Sequence, residues 1–136
     1  MKLSAGRELD DMVSEKIMGW KYQQSSPDPK KYFCREYGND AGWWLRPNTT
    51  RDDMIWSCAS CSPPPEYSAD ITAAWEVLNR LPLDLWPEVG RMNTGSWYCE
   101  IVQGAPWPTG VGYLAREVAE TAPLAICRAA LKAARL

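Results

Sequence analysis

Residues 121–134 read TAPLAICRAALKAA, and this stretch decides the fold. Thr121 is placed to cap a helix, and Pro123 is tolerated in a first turn, where no intrahelical N–H is required. Leu124, Cys127, Leu131 and Ala134 recur at helical spacing, and Ile126 and Ala130 widen their apolar face. Lys132 and Arg135 complement the dipole at the C-terminal end. Ala125, Ala129, Ala130, Ala133 and Ala134 raise helix propensity and let a sheet approach closely.

Upstream of this helix the periodicity changes from helical to alternating. Two extended stretches, 83–92 and 96–102, flank Asn93-Thr94-Gly95, a hairpin turn in which Gly95 supplies positive φ. In the second stretch Trp97, Cys99 and Ile101 alternate with Tyr98, Glu100 and Val102. A third extended piece is expected over 112–119, although Tyr113-Leu114-Ala115 could equally begin a helix.

Two further helices lie earlier in the chain. Pro63-Pro64-Pro65 forbids a helix before Ser68, which is read as the N-cap, with Asp70 in the first turn. Ile71, Ala74, Trp75, Leu78 and Leu81 form its stripe, and Pro82 ends it. The first helix spans 4–18, with Ser4 as N-cap, Gly19 beyond its end, and Leu9, Met12, Val13 and Ile17 as its stripe. Trp20 extends that stripe by a turn, and Glu8, Asp11 and Glu15 are expected to face solvent.

Residues 21–62 contrast with these segments. They hold Pro27, Pro29, Pro47, Gly38 and Gly42, with an aromatic set of Tyr32, Phe33, Tyr37, Trp43, Trp44 and Trp56. The reading is a long irregular excursion with short strands over 31–36 and 42–45, of a length that tends to be functional. The whole chain of 136 residues fits one domain, 1–136. Its fold class is α+β: a small, largely antiparallel sheet and about three helices, plus the Trp-rich insertion.

Composition narrows the chemistry. Lys+Arg is 15 and Asp+Glu is 17, a net charge of −2, so no global cationic field exists for coating extended nucleic acid. No apolar run reaches the roughly 20 residues of a membrane span, and the charged N-terminal stretch has no signal-peptide core. There are 8 Trp, one Phe and no His. Without His, Ser-His-Asp and Cys-His nucleophile machinery and His-ligated metal sites are excluded. The five cysteines, Cys34, Cys58, Cys61, Cys99 and Cys127, are read as reduced thiols of a cytoplasmic protein. Cys58-Ala59-Ser60-Cys61 is a lone C-x-x-C, so the expectation is no metal, with Cys58 and Cys61 as the weak candidates, and no cofactor.

Three blocks together resemble the phage ABA sandwich domain. They are Ala5-Gly6-Arg7-Glu8-Leu9-Asp10 with Glu15-Lys16-Ile17-Met18-Gly19-Trp20, then Tyr67-Ser68-Ala69-Asp70-Ile71 through Ala74-Trp75-Glu76-Val77, then 121–131. The resemblance covers about a third of the chain in the family's order, and the last block is the most specific. It implies a bacteriophage origin, action in the cytoplasm of the infected bacterial host, and a three-layer α/β/α sandwich in which helices cover a small sheet. It supplies no catalytic motif and does not fix the structure of 21–62.

Candidate binding residues are Trp43, Trp44, Arg46, Tyr67, Ser68, Thr121 and Arg128. Trp43-Trp44 near Arg35, Arg46 and Arg51 could stack a base and clamp phosphates; the alternative is a small core beneath a long loop. Successive tryptophans on a strand point to opposite faces, so at least one is expected to meet solvent, a ligand or another chain. Tyr67, Ser68 and Thr121 stand at helix N-termini that suit an anion, against the simpler reading of capping. Arg128 is either solvated or paired with Asp70, Glu76 or a ligand anion. The acid pairs Asp10-Asp11, Asp52-Asp53 and Glu117/Glu120 are read as solvated rather than catalytic. Trp20 and Trp75 are expected in the core and Trp86 and Trp97 in hairpin packing, leaving Trp43, Trp44, Trp56 and Trp107 for function.

The expectation that follows is a non-enzyme: a homo-oligomeric accessory protein sequestering a small nucleotide-like ligand, such as a host immune signal. The alternative is a module that docks a host or phage partner through its Trp-rich segment. A zinc-stapled domain is the third possibility weighed.

Overall fold

In the computed structural model, the helix Ala122–Ala134 is buried on nearly every side. The structure describes residues 3–47, 54–103 and 112–134. Arg51, Asp52, Asp53, Trp107 and Arg135 fall outside them. The elements run α1 (Arg7–Lys16), β1 (Lys21–Gln23), β2 (Trp43–Leu45), β3 (Trp56–Cys58), α2 (Ile71–Asn79), β4 (Leu85–Arg91), β5 (Trp97–Gln103), β6 (Gly112–Ala119) and α3 (Ala122–Ala134). This is the expected α+β class, with its antiparallel strands divided over two small sheets.

Helix α3 packs against the β4-β5-β6 meander and against α1 and α2. Its alanines permit that crowding, since Ala125, Ala129 and Ala130 are fully covered. Ile126 is fully buried, and Leu124 and Leu131 are nearly so; burying each such side chain contributes about 1.5–3 kcal/mol. Opposite them the sheet presents Cys99, Ile101, Ala115 and Ala119. The 112–119 stretch is a strand, pairing Trp97 with Ala119 and Ile101 with Ala115, with a register shift after Ile101. Thr121 caps α3 as expected, its Oγ1 accepting the Leu124 N–H at 3.4 Å.

The other two caps differ from expectation. Helix α2 begins at Ile71 and is capped by Asp70, whose Oδ1 accepts the N–H groups of Thr72 at 2.9 Å and Ala73 at 3.4 Å. Ser68 is fully buried and joins the two helix starts: its Oγ accepts the Gly6 N–H at 3.0 Å, and its N–H donates to Asp10 Oδ1 at 2.7 Å. Gly6, and not Ser4, holds the N-cap position of α1. A buried backbone N–H needs a partner, which explains why Asp10 lies inside while its neighbour Asp11 pairs with Arg7 at 3.2 Å. Burial raises the Asp11 carboxyl pKa, and Arg7 opposes that rise.

The core face of α2 is also rotated from the expected stripe. Ala73, Ala74, Val77 and Leu78 are buried, while Ile71 is 50% and Trp75 53% exposed. Trp75 is therefore not a core residue, because Ala73 and Val77 occupy the side that meets α3. Trp86 is 64% exposed, since it points to the sheet face opposite α3, where it pairs with Val102. Trp20 and Trp97 pack as expected, one buried and the other partly so.

Residues 21–62 contain the first sheet in chain order, β1-β2-β3, all antiparallel. The expected strand within 42–45 is β2. In the 31–36 region there is instead a tight turn, closed by a Cys34–Gly38 bridge and a 2.7 Å bond from Gly38 N–H to Cys34 C=O. Trp43 and Trp44 are 4% and 3% exposed. The expectation that one of them meets solvent is corrected: β2 is the middle strand, and both its faces are covered. Trp44 enters the main core beside Tyr22, with ring centroids 5.0 Å apart. Trp43 enters a small second core with Cys34 and Cys58, edged by Tyr32, Ala41 and Trp56.

Candidate functional site

A cleft of about 670 Å³ opens where the two halves of the chain meet. Its lining comes from four places: Met18 and Trp20 after α1, Arg46, Pro47 and Ser57 from the first sheet, Ser62, Pro63, Pro65 and Tyr67 from the proline stretch, and Glu76, Asn79 and Arg80 from α2. The proline run that forbids helix before α2 thus forms a stiff wall. Trp20 and Tyr67 are fixed beneath it, with the indole Nε1 donating to the phenol oxygen at 3.2 Å. Burial pushes the Tyr67 hydroxyl above its ordinary value, partly offset by the Trp20 bond. Arg80 is exposed, donates through Nη2 to Met18 C=O at 3.3 Å, and lines the same cleft as the exposed Arg46.

The cleft brings together Arg46 and Tyr67 of the expected binding residues. It adds Arg80, Glu76 and Asn79, which were not among the candidate binding residues. Two guanidinium groups, one carboxylate and one carboxamide are the groups a small anionic ligand with hydroxyl or amide edges would need.

The remaining candidates are engaged elsewhere. Trp43 and Trp44 serve two cores, and the Trp43 indole donates to Asn39 C=O at 2.9 Å. Ser68 ties α1 to α2, and Thr121 caps α3. Arg128 is half-buried and donates from Nε to Leu3 C=O at 2.8 Å, which pins the N-terminal segment to α3.

On the opposite face of β3 lies a thiol cluster. Ser57 and Cys58 are adjacent on a strand and point to opposite sides, so Ser57 lines the cleft while Cys58 faces Trp43. The Sγ atoms of Cys34, Cys58 and Cys61 all lie within 4.8 Å of one another, and those of Cys34 and Cys61 are 3.4 Å apart. Sequence spacing gave Cys34 no link to the C-x-x-C; the turn at 34–38 folds it onto that pair. Cys99 and Cys127 are fully buried at the α3–sheet interface, where burial pushes the Cys99 thiol up to about 12 and raises Cys127 as well.

A small α+β protein with two antiparallel three-stranded sheets and a solvent-facing cleft is the class defined by these features. The phage ABA sandwich domain model matches residues 11–131, so the chain belongs to that family. A crystal structure of a phage protein from Bacillus cereus ATCC 14579 is similar in fold, with a TM-score of 0.55 at 20% identity, covering 98% of this chain and 97% of that one. No curated protein matches the chain. Among the described residues, no helix is long and apolar enough to cross a membrane.

Proposed function

We propose that this phage protein binds and sequesters a small nucleotide-type ligand without transforming it, acting in the cytoplasm of the infected host as a sponge for a defence signal. The observation that carries the reading is the pair of exposed arginines, Arg46 and Arg80, lining one cleft. They suit a phosphate or diphosphate. Pro47, Pro63 and Pro65 offer apolar walls for a planar base, and Glu76 and Asn79 suit sugar hydroxyls or a base edge. The absence of His supports binding over catalysis. The test is to incubate purified protein with cyclic dinucleotides and ADP-ribose derivatives, remove unbound ligand, denature the protein and analyse what is released. Intact ligand supports sequestration; degraded ligand makes the protein an enzyme, and no retained ligand removes the reading.

A second reading, partner docking, is favoured by a different surface. Ile71, Trp75 and Leu83 are 50%, 53% and 99% exposed and line two neighbouring grooves of α2 and the α2–β4 turn. Exposed tryptophans of this kind are typical interface anchors, and a second copy of the chain is the simplest occupant. Docking would then run through this face and not through Trp43 and Trp44. Light scattering on the wild type and Trp75→Glu tests it: a dimer that becomes a monomer supports self-association, and a wild-type monomer opposes it.

A further inference from the structure

Two turns in the first half of the chain have the same form. Cys34-Arg35-Glu36-Tyr37-Gly38 is closed by the Gly38 N–H on Cys34 C=O at 2.7 Å, and Cys58-Ala59-Ser60-Cys61-Ser62 by the Ser62 N–H on Cys58 C=O at 2.8 Å. Each begins with a cysteine, and the fourth position is Tyr37 in one and Cys61 in the other. The turns face each other so that three sulfurs converge. Gly38, at φ +75°, supplies the left-handed residue that the first turn needs.

We propose that Cys34, Cys58 and Cys61 bind one thiophilic divalent cation, Zn²⁺, as three thiolates, with the fourth coordination position left to water beside Tyr37. Zn–S bonds of about 2.3 Å in a tetrahedron separate the sulfurs by about 3.8 Å. The observed sulfurs, all within 4.8 Å with one pair at 3.4 Å, reach that arrangement by side-chain adjustments of well under 1.5 Å, roughly a χ1 correction. Thiolate sulfur is the donor this metal prefers, and a cluster without His or carboxylate disfavours Mg²⁺ and Ca²⁺. Binding releases the thiol protons to solvent.

Backbone N–H groups of Tyr37 and Glu36 are directed at Cys34. Cys58 and Cys34 are buried and Cys61 is exposed, so the cluster has a covered base and a solvent-facing side by which a metal could enter.

The site would staple an excursion that has little core of its own. Among the described residues, Trp43 with Tyr32, Ala41 and Trp56 packs around the two buried cysteines. Arg7 donates to Ala59 C=O, linking the second turn to α1. The proposal is independent of any ligand in the cleft.

The test is elemental analysis of the full chain purified under reducing conditions, without chelator, from cells supplied with zinc. One zinc per chain is expected in the wild type and in Cys127→Ala, with loss in Cys34→Ser and Cys58→Ser. Because the serine variants could misfold, Tyr37→Cys supplies a gain: a fourth thiolate should tighten retention of zinc against a chromogenic chelator by about tenfold or more. Co²⁺ added to metal-free protein should give a thiolate-to-cobalt charge-transfer band that saturates at one equivalent. Metal-free wild-type protein with no cobalt band, or a Cys34–Cys61 disulfide under the same reducing conditions, would overturn the proposal; so would an unchanged retention in Tyr37→Cys.

Discussion

The indole Nε1 of Trp20 donates to the hydroxyl of Tyr67 at 3.2 Å, joining the segment after α1 to the segment before α2. Both side chains are buried and both line the cleft. This one bond therefore fixes the cleft's inner wall to the two helices that hold α3 in place.

Tyr67→Phe should leave the Trp20 N–H buried without its acceptor. The expected cost is about 1–3 kcal/mol, the penalty of an unsatisfied buried donor. Urea unfolding followed by tryptophan fluorescence measures it. A midpoint equal to wild type would show that water replaces the phenol and that the bond does not hold the wall.

The adjacent tryptophans should respond differently to Phe. Trp43→Phe removes a hydrogen bond to Asn39 C=O, whereas the Trp44 Nε1 is buried with no hydrogen-bond partner among the described residues. Both variants lose similar volume, so Trp43→Phe should destabilise more, by about 1 kcal/mol. Equal or reversed losses in denaturant titrations would contradict that assignment. Either residue replaced by Ala should cost about 3–5 kcal/mol, which makes those variants unsuitable as probes of binding.

Alkaline pH should weaken the fold from pH 9 upward. Cys99 titrates near 9.0 when unfolded and near 12 when folded, chiefly because burial penalises the thiolate. Above 9.0 the unfolded chain releases a proton that the native chain keeps, so the unfolded state is favoured as pH rises. The contribution is fully present below pH 9 and is lost on the way to about 12. Cys127 acts in the same direction, and Tyr67 joins above its ordinary value of 10.0. Urea midpoints should fall between pH 8 and about 10.5, with a shallower fall in Cys99→Ala. A flat profile would contradict the burial argument.

Gly42→Ala should destabilise the first sheet. Gly42 sits at φ +85°, and a Cβ there would come within 2.5 Å of the Tyr22 hydroxyl and 3.0 Å of its ring. Tyr22 packs on Trp44, so the ring cannot move without loosening the core edge. The expected loss is about 1–3 kcal/mol, read from the thermal midpoint; a neutral result would show that the ring swings clear at little cost.

Most of the fold was legible in the sequence because its periodicities are strong. The run from Leu124 to Leu131 has the helical repeat of a buried helix, and Cys99 and Ile101 alternate as a half-covered strand must. What escaped were features set by tertiary neighbours. Trp75 lies on a plausible stripe, but Ala73 and Val77 take the side facing α3. Ser68 has the residue type of a cap, yet Asp70 caps while Ser68 serves a helix 62 residues away. The cleft was only partly visible: Arg46 and Tyr67 stood out locally, whereas Arg80 and Glu76 join them through chain packing that no spacing encodes. Cys34 was missed in the same way, because a 27-residue separation conceals a 3.4 Å approach to Cys61.

The most direct test is a thermal-shift titration of wild type and Arg46→Ala/Arg80→Ala with cyclic dinucleotides and ADP-ribose derivatives. Wild type should be stabilised by at least one of them, by about 2.7 kcal/mol at a hundredfold excess over Kd, and the double variant, folded to the same unliganded midpoint, should not respond. No shift with any of these ligands, or an equal shift in the double variant, would show that this cleft is not the binding site.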